Sequence, residues 1–230
     1  MVALEIFYEH FITYEGYKDY LIGLRNTAII AVFGLLIGFL IGCIISTVKI
    51  IPRKNALMRI VEKFFDAYVA LFRGTPMTVQ LLLLHFAIFP MIGLNLNSVV
   101  EAVLIFGMNS GAYMAEIIRS GINSVDGGQM EASRSLGFGF VSSMIRIILP
   151  QAFKNILPTF GNEFITLIKE TSVVSFIALL DVTKALKTIA DSTTEYFVPY
   201  IVLAITYLII VLLITWGIKI LERRLAKSER

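Results

Sequence analysis

Charge is scarce in this sequence. Only 16% of its 230 residues are Asp, Glu, Lys or Arg, against roughly 25% in an ordinary soluble domain. Apolar residues make up 57%, and the mean hydropathy is +0.80. A water-soluble globular domain is therefore excluded, and the chain falls among membrane proteins. Cysteine is nearly absent as well. Cys43 stands alone in an apolar run, so no internal disulfide can form and the redox compartment stays open. There is no Cys/His cluster for a metal; His85, in "LLLLHFAIF", reads as a packed or interfacial histidine. No G-x-x-x-x-G-K-[ST] loop is present, so the chain is not its own ATPase. Nor is there a Ser–His–Asp arrangement assignable to a hydrolase. The net charge of +3 is too small to imply a nucleic-acid partner. The opening "MVALEIFYEHF" carries Glu5 and Glu9 without a basic n-region, so it does not read as a cleaved signal peptide.

What is abundant is apolar sequence in span-length runs. A bilayer core needs about 20 such residues in helix. Five segments qualify: about 20–48, 57–92, 98–122, 151–180 and 197–221. The second is interrupted by "RGTP", Arg73 to Pro76. Interrupted helices are tolerated at membrane depth where they line protein or a cavity. Lysine and arginine then set the orientation. Lys49, Arg53, Lys54, Arg59 and Lys63 follow the first span; Arg134, Arg146 and Lys154 lie between the third and fourth; Lys219, Arg223, Arg224, Lys227 and Arg230 close the tail. The opposite side has only Lys184 and Lys187, offset by three acids in the 181–195 loop. The expectation is an all-α integral membrane fold of five transmembrane helices, with the N-terminus outside and the C-terminus cytoplasmic. It forms a single permease-like domain over 1–230: a lead-in at 1–19, a five-helix core at 20–225 and a cytoplasmic loop at 126–150. In the lead-in, Phe7, Phe11 and Tyr14 recur at helical spacing between Glu5, Glu9 and Glu15. That pattern fits an amphipathic surface helix or a disordered segment.

The cytoplasmic segment "GGQMEASRSLGFGFVSSMIRIILPQAF" is polar where its surroundings are not. Asp126 signals a helix start, Gly137 a C-cap, and a second short helix over 141–148 ends against Pro150. The knob exposes Glu131, Ser133 and Arg134 and packs Met144, Ile145, Ile147 and Ile148 on an apolar side. It is longer than a mere connection needs. An amphipathic loop resting on headgroups and a docking element for a cytoplasmic partner both fit these residues.

Glu131-Ala132-Ser133, then Gly137, then Ile147-x-Leu149-Pro150 resembles the EAA signature of membrane subunits of binding-protein-dependent ABC importers. The departure is Ser133 at the second alanine. The runs "LFRGTPMTVQLLLLHF" and "GNEFITLIKETSVVS" look like the polar amino-acid branch, and the likeness covers roughly 20–225. The resemblance implies that Glu131, Ala132, Ser133, Arg134 and Gly137 form coupling helices seated in an ATP-binding subunit. It also implies an extracytoplasmic substrate-binding protein and a second permease, either the same chain or a similar one. ATP and Mg would then be bound by the partner, and no cofactor by this chain. The location implied is a bacterial inner membrane.

Polar groups at membrane depth are expensive enough to suggest function. In the fourth span Asn155, Thr159, Asn162, Thr166 and Lys169 form one stripe, widened by Glu163 and Glu170. Glu163 stands about 20 Å along the helix from Pro150 at 1.5 Å per residue. Asn109, Tyr113 and Glu116 share a face of the third span, and Gly74, Thr75 and Gln80 surround the break in the second. Gly74, Thr75, Gln80, Asn109, Tyr113, Glu163 and Thr166 are thus the candidate solute site, with Glu163 pairing to a cationic group. Gln80, Asn109 and Thr166 read equally as helix-to-helix hydrogen bonds, and Glu116–Arg119 as a structural ion pair. Lys169 and Glu170 gate or snorkel; Trp216 anchors at an interface. The leading expectation is an ATP-driven importer permease for polar amino acids, leaning to arginine, lysine or histidine, with glutamine or glutamate as the alternative. A self-energised secondary carrier with Glu163 as an ion site is the rival.

Overall fold

The computed structural model describes residues 2–52 and 55–227, with side chains to residue 224. Arg53, Lys54 and Arg230, used above for orientation, lie outside the described residues, as does the side chain of Lys227. The described chain is helical throughout and contains no strand. Helix α1, Val2–Tyr8, runs through a π turn (Glu9–Thr13) to α2, Gly16–Ile50. Then come α3, Ala56–Gly74, and α4, Met77–Leu83, which continues through a π turn to Met91. Helix α5 is Ser98–Asn123, α6 Gly127–Ser135 and α7 Phe140–Ser143. Helix α8 is Leu149–Glu170, α9 Val182–Thr193 and α10 Phe197–Lys227.

Among the described residues three helices, Gly16–Ile50, Ser98–Asn123 and Phe197–Arg224, are long and apolar enough to cross a membrane. The pair Ala56–Gly74 and Met77–Met91 also qualifies, but it is bent by 109° at the "RGTP" break. Helix α8, at 22 residues, is long enough at 1.5 Å per residue. Its polar stripe keeps it out of the apolar set.

The centre of the molecule is the seam between α2 and α5. Gly34, Gly38 and Gly42 recur every four residues on α2, facing Gly107 and Gly111 on α5. A Cβ on Gly38 would lie 2.7 Å from the Ser110 side chain; one on Gly42 would lie 2.5 Å from Met114 Cβ. From the other side, a Cβ on Gly107 would lie 2.6 Å from the Ile37 side chain and one on Gly111 2.6 Å from that of Ile41. Lipid tails are as apolar as leucine, so helices in a membrane gain by close packing, and small residues permit it. Outside this core, α10 turns Leu208, Leu212, Leu213 and Trp216 outward, all more than half exposed, as a lipid-facing helix requires.

Three expectations change. The lead-in is helical, but Phe7 and Phe11 alone stack at 5.2 Å and pack with Val182, Leu186 and Ile189. Tyr14 is exposed, because Glu15 takes a left-handed conformation that turns the chain before α2. The 181–195 connection is a helix, not a loop. Asp181, fully buried, caps it by accepting from the Thr183 and Lys184 amides at 3.0 and 2.7 Å. Pro150 does not end the second short helix. A π turn at Met144–Ile148 leads directly into α8, and Leu149 N–H bonds back to Met144. Proline at the first turn lacks only a donor that has no partner there.

Gly42→Val is expected to cost about 1–3 kcal/mol through overpacking. Gly217→Val, where a Cβ meets nothing within 4 Å, is the control. Thermal unfolding in detergent should separate the two, with only the first lowered.

Candidate functional site

The break between α3 and α4 leaves carbonyls that α-helical bonding no longer satisfies, and a membrane interior offers no water to satisfy them. Gln80 does so instead. Its amide donates to the carbonyls of Phe72 (2.8 Å) and Thr75 (2.9 Å) and meets the Thr75 hydroxyl at 2.8 Å. Its own oxygen accepts from Asn109 Nδ2 at 2.9 Å. The Thr75 hydroxyl also closes onto the Leu71 carbonyl at 2.8 Å. Gln80 and Asn109 are both buried. Thr75, Gln80 and Asn109 thus do converge, but on one another and on the backbone. Gly74 is exposed at the turn.

Glu163, partly buried in α8, accepts from the Ser110 hydroxyl at 3.2 Å. Ser110 is fully buried at the glycine seam, so this bond ties α8 to α5. The stripe of Asn155, Thr159, Asn162, Thr166 and Lys169 is exposed along its whole length. Thr166 turns its hydroxyl back to the Asn162 carbonyl at 3.1 Å.

Tyr113 stands apart from those groups. It lines a cavity of about 870 Å³ with Arg73, Glu116, Arg119, Lys154 and Thr159. None of the other six candidates lines that cavity. The Arg73 guanidinium lies over the Tyr113 ring at 5.5 Å from its centroid. Glu116 is the hub of an ion network rather than half of one pair. Arg119 reaches it at 2.6 Å, Lys49 at 3.5 Å and Arg73 at 3.9 Å, while Lys49 also meets Asp66 at 2.8 Å. The network joins the ends of α2, α3 and α5.

The 126–150 segment is built as a helix, a tight turn and a second helix. Asp126 caps α6 by accepting from Gly128 N–H at 2.7 Å. At the other end Gly137 has φ +88°. Its N–H bonds to the Arg134 carbonyl at 3.0 Å, and Phe138 N–H bonds to that of Ser133 at 3.2 Å. This double closure is a Schellman turn, which calls for a left-handed residue where glycine sits. Glu131, Ala132, Arg134 and Gly137 are exposed. Ser133 is not, contrary to expectation. It is buried, and its hydroxyl meets that of Ser143 at 2.7 Å, locking α6 to α7. Ile145 is exposed rather than packed, while Ile148 is buried.

Sequence reasoning missed Glu101. It is buried in the first turn of α5, where its carboxylate meets His85 Nδ1 at 2.5 Å. The signal was present as an acid just inside an apolar span opposite a solitary histidine.

A family model described as the inner membrane component of binding-protein-dependent transport systems matches residues 34–227. The chain belongs to this family. It is therefore a membrane component of an ABC transporter, multi-pass in the inner membrane, with ATP hydrolysis left to a separate subunit. Relatives include a putative glutamine transport system permease protein, GlnP, of Rickettsia bellii. It is 40% identical over 209 residues, covering 90% of this chain and 91% of that one. The arginine transport system permease protein ArtQ of Bacillus subtilis is 37% identical over 207 residues, covering 90% and 92%. A crystal structure of an amino acid ABC transporter with histidines superposes with a TM-score of 0.82. It is 37% identical and covers 92% of this chain and 96% of that one. The MetNI methionine transporter in an inward-facing form, 17% identical with a TM-score of 0.71 over 94% and 97%, shares the fold.

Gln80→Leu should strand the Thr75 carbonyl and leave the Phe72 carbonyl and the Asn109 amide only their long 3.5 Å contact with each other, at about 1–3 kcal/mol for each group left buried and unmet. A lowered unfolding temperature is expected. Lost solute response at an unchanged unfolding temperature would instead make Gln80 a ligand contact.

Proposed function

We propose that this chain is the permease of an ATP-driven importer of polar amino acids, working by alternating access in a pair of permeases. The observation that carries the reading is the form of 126–150: an exposed Glu131-Ala132 and Arg134 on a capped helix, turned by Gly137 and locked to the next helix by Ser133–Ser143. A rigid, solvent-facing element of this kind suits docking into an ATP-binding subunit. A self-energised carrier has no use for one. Membership of a binding-protein-dependent family supports the same partners, and an extracytoplasmic binding protein would deliver the solute.

Counting α8 with the bent α3–α4 pair gives five spans in a single permease domain, N-terminus outside and C-terminus cytoplasmic. Lipid is a poor neighbour for the exposed polar stripe of α8, which favours a second permease against that face. The solute site we assign to Glu163 with Thr166 and Tyr113 along the route, while Gly74, Thr75, Gln80 and Asn109 hold the broken helix open beside it. Glu163 suits a cationic group, either the α-ammonium of any amino acid or the side chain of a basic one. Relatives named for glutamine and for arginine support both, so arginine or lysine and glutamine are the two substrates to compare.

In the reconstituted importer, Glu163→Gln keeps an acceptor for Ser110 but removes the charge. Solute-stimulated ATP hydrolysis is expected to fall at least about tenfold, equivalent to ~1.4 kcal/mol, with the ATP-binding subunit still bound. A normal response to arginine and to glutamine would remove Glu163 from the site.

Gly137→Arg tests the docking element. Its Cβ would meet nothing within 4 Å, so the penalty is backbone strain, about 1–2 kcal/mol for a left-handed L-residue. Co-purification of the ATP-binding subunit should be lost while the unfolding temperature of the membrane core holds. Retained stoichiometric binding would overturn the assignment.

A further inference from the structure

The cavity beside Tyr113 holds more positive charge than its own acid answers. Among the described residues its wall carries the cations Arg73, Arg119 and Lys154 against a single carboxylate, that of Glu116. Glu116 is already served. Arg119 meets it through two nitrogens, at 2.6 and 3.4 Å, and Lys49 reaches it at 3.5 Å. Arg73 stands off at 3.9 Å, beyond hydrogen-bond reach. Its side chain is 45% exposed and makes no hydrogen bond among the described residues. What holds it is the Tyr113 ring, 5.5 Å below the guanidinium carbon. A ring face engages the charge and leaves the donor fork open.

The cavity begins one helical turn from Glu163. Thr159 lines it and lies one turn before Glu163 on α8. Tyr113 lines it too, one turn after Ser110, whose hydroxyl meets Glu163. Residues so spaced share a helix face. At about 870 Å³, the cavity falls within the roughly 300–1,000 Å³ of small-ligand sites. Glu163 answers only the cationic group of an amino acid. The α-carboxylate also leaves water on entering, at a cost of several kcal/mol unless a cation meets it. A planar fork with free donors matches two carboxylate oxygens. On the reading of this chain as an amino-acid importer permease, we propose that Arg73 binds the α-carboxylate of the solute in this cavity.

The test is direct binding to the complex of permease and ATP-binding subunit in detergent. The extracytoplasmic binding protein is left out, because its own selectivity would mask that of the permease. Equilibrium dialysis compares arginine with argininamide, and glutamine with glutaminamide. Each amide keeps the α-ammonium and loses the carboxylate charge. Wild type is expected to prefer the acids by about tenfold or more, as one charge-assisted bond implies. Arg73→Gln should abolish that preference by weakening the acids, with the amides little changed. Its unfolding temperature should hold, since Arg73 has no hydrogen bond to lose. Arg73→Lys restores the charge without the fork and should recover part of the preference.

An unchanged preference in Arg73→Gln would overturn the proposal. So would an equal loss for acids and amides, which would make Arg73 a structural group. Glu163→Gln should weaken acid and amide alike and preserve their ratio. If it weakens neither while Arg73→Gln still removes the preference, Glu163 leaves the site and the carboxylate subsite stands. If neither arginine nor glutamine binds the wild-type complex, the importer reading itself fails and Arg73 falls with it.

Discussion

Helix α5 can act as the hub of this protein only because α2 lies against it without side chains in the way. A Cβ on Gly38 or Gly42 of α2, or on Gly107 or Gly111 of α5, would come closer than 3.0 Å to the facing helix, and one on Gly34 would lie 3.1 Å from Phe106. Close backbone approach maximises dispersion contacts where no hydrophobic effect drives helices together. The seam also fixes the orientation of α5. With one face committed to α2, the remaining faces present Asn109 towards the broken helix, Ser110 towards α8, and Tyr113 and Glu116 towards the cavity. Each polar contact depends on that single rotational setting.

The second constraint is that no backbone polar group goes unmet. A 109° bend at the Arg73–Pro76 break is possible because one glutamine side chain replaces the lost carbonyl partners, and Asn109 holds that glutamine in place. The same economy appears at Asp181, whose buried carboxylate serves two amides at the start of α9. Gly23 leaves room there: a Cβ would lie 2.5 Å from the Asp181 backbone. Several residues that look like solute ligands are in this way occupied by the fold.

That explains what was legible in the sequence and what was not. The long apolar helices, the break at Arg73–Pro76 and the turn at Gly137 each leave a local signature, in run length, in Gly/Pro chemistry or in a fixed motif. The fate of Gln80 does not, since a glutamine satisfying two carbonyls and one open to solute have the same sequence. Ser133 was misplaced for a related reason: its exposure depends on Ser143, ten residues on, and no helical periodicity spans the intervening turn. Pro150 was read as a stop because a proline inside a helix usually is one. The π turn before it places that proline in a first turn instead. The glycine seam was visible as a four-residue spacing on two runs, but only pairing them gives it meaning.

The continuity created at Pro150 bears on how the two ends of the protein communicate. From Phe140 the chain is helical without interruption to Glu170. Ser143 and Glu163 therefore sit on one continuous helical segment, about 30 Å apart at 1.5 Å per residue, with a π turn and Pro158 between them. A displacement of α6 would be felt by α7 through the Ser133–Ser143 hydroxyl pair and through Met130 and Met144, which pack on the same apolar cluster, and α7 is continuous with the base of α8. The head of α8 is held to α5 by Glu163 and Ser110 at 3.2 Å. That contact lies beside the tightly packed α2–α5 seam. A carboxylate held by one neutral hydroxyl is a modest tether, about 1.5–3 kcal/mol net for a hydrogen bond to a charged group. On the proposed assignment of Glu163 to the solute site, a solute ammonium there would exchange that tether for an ion pair.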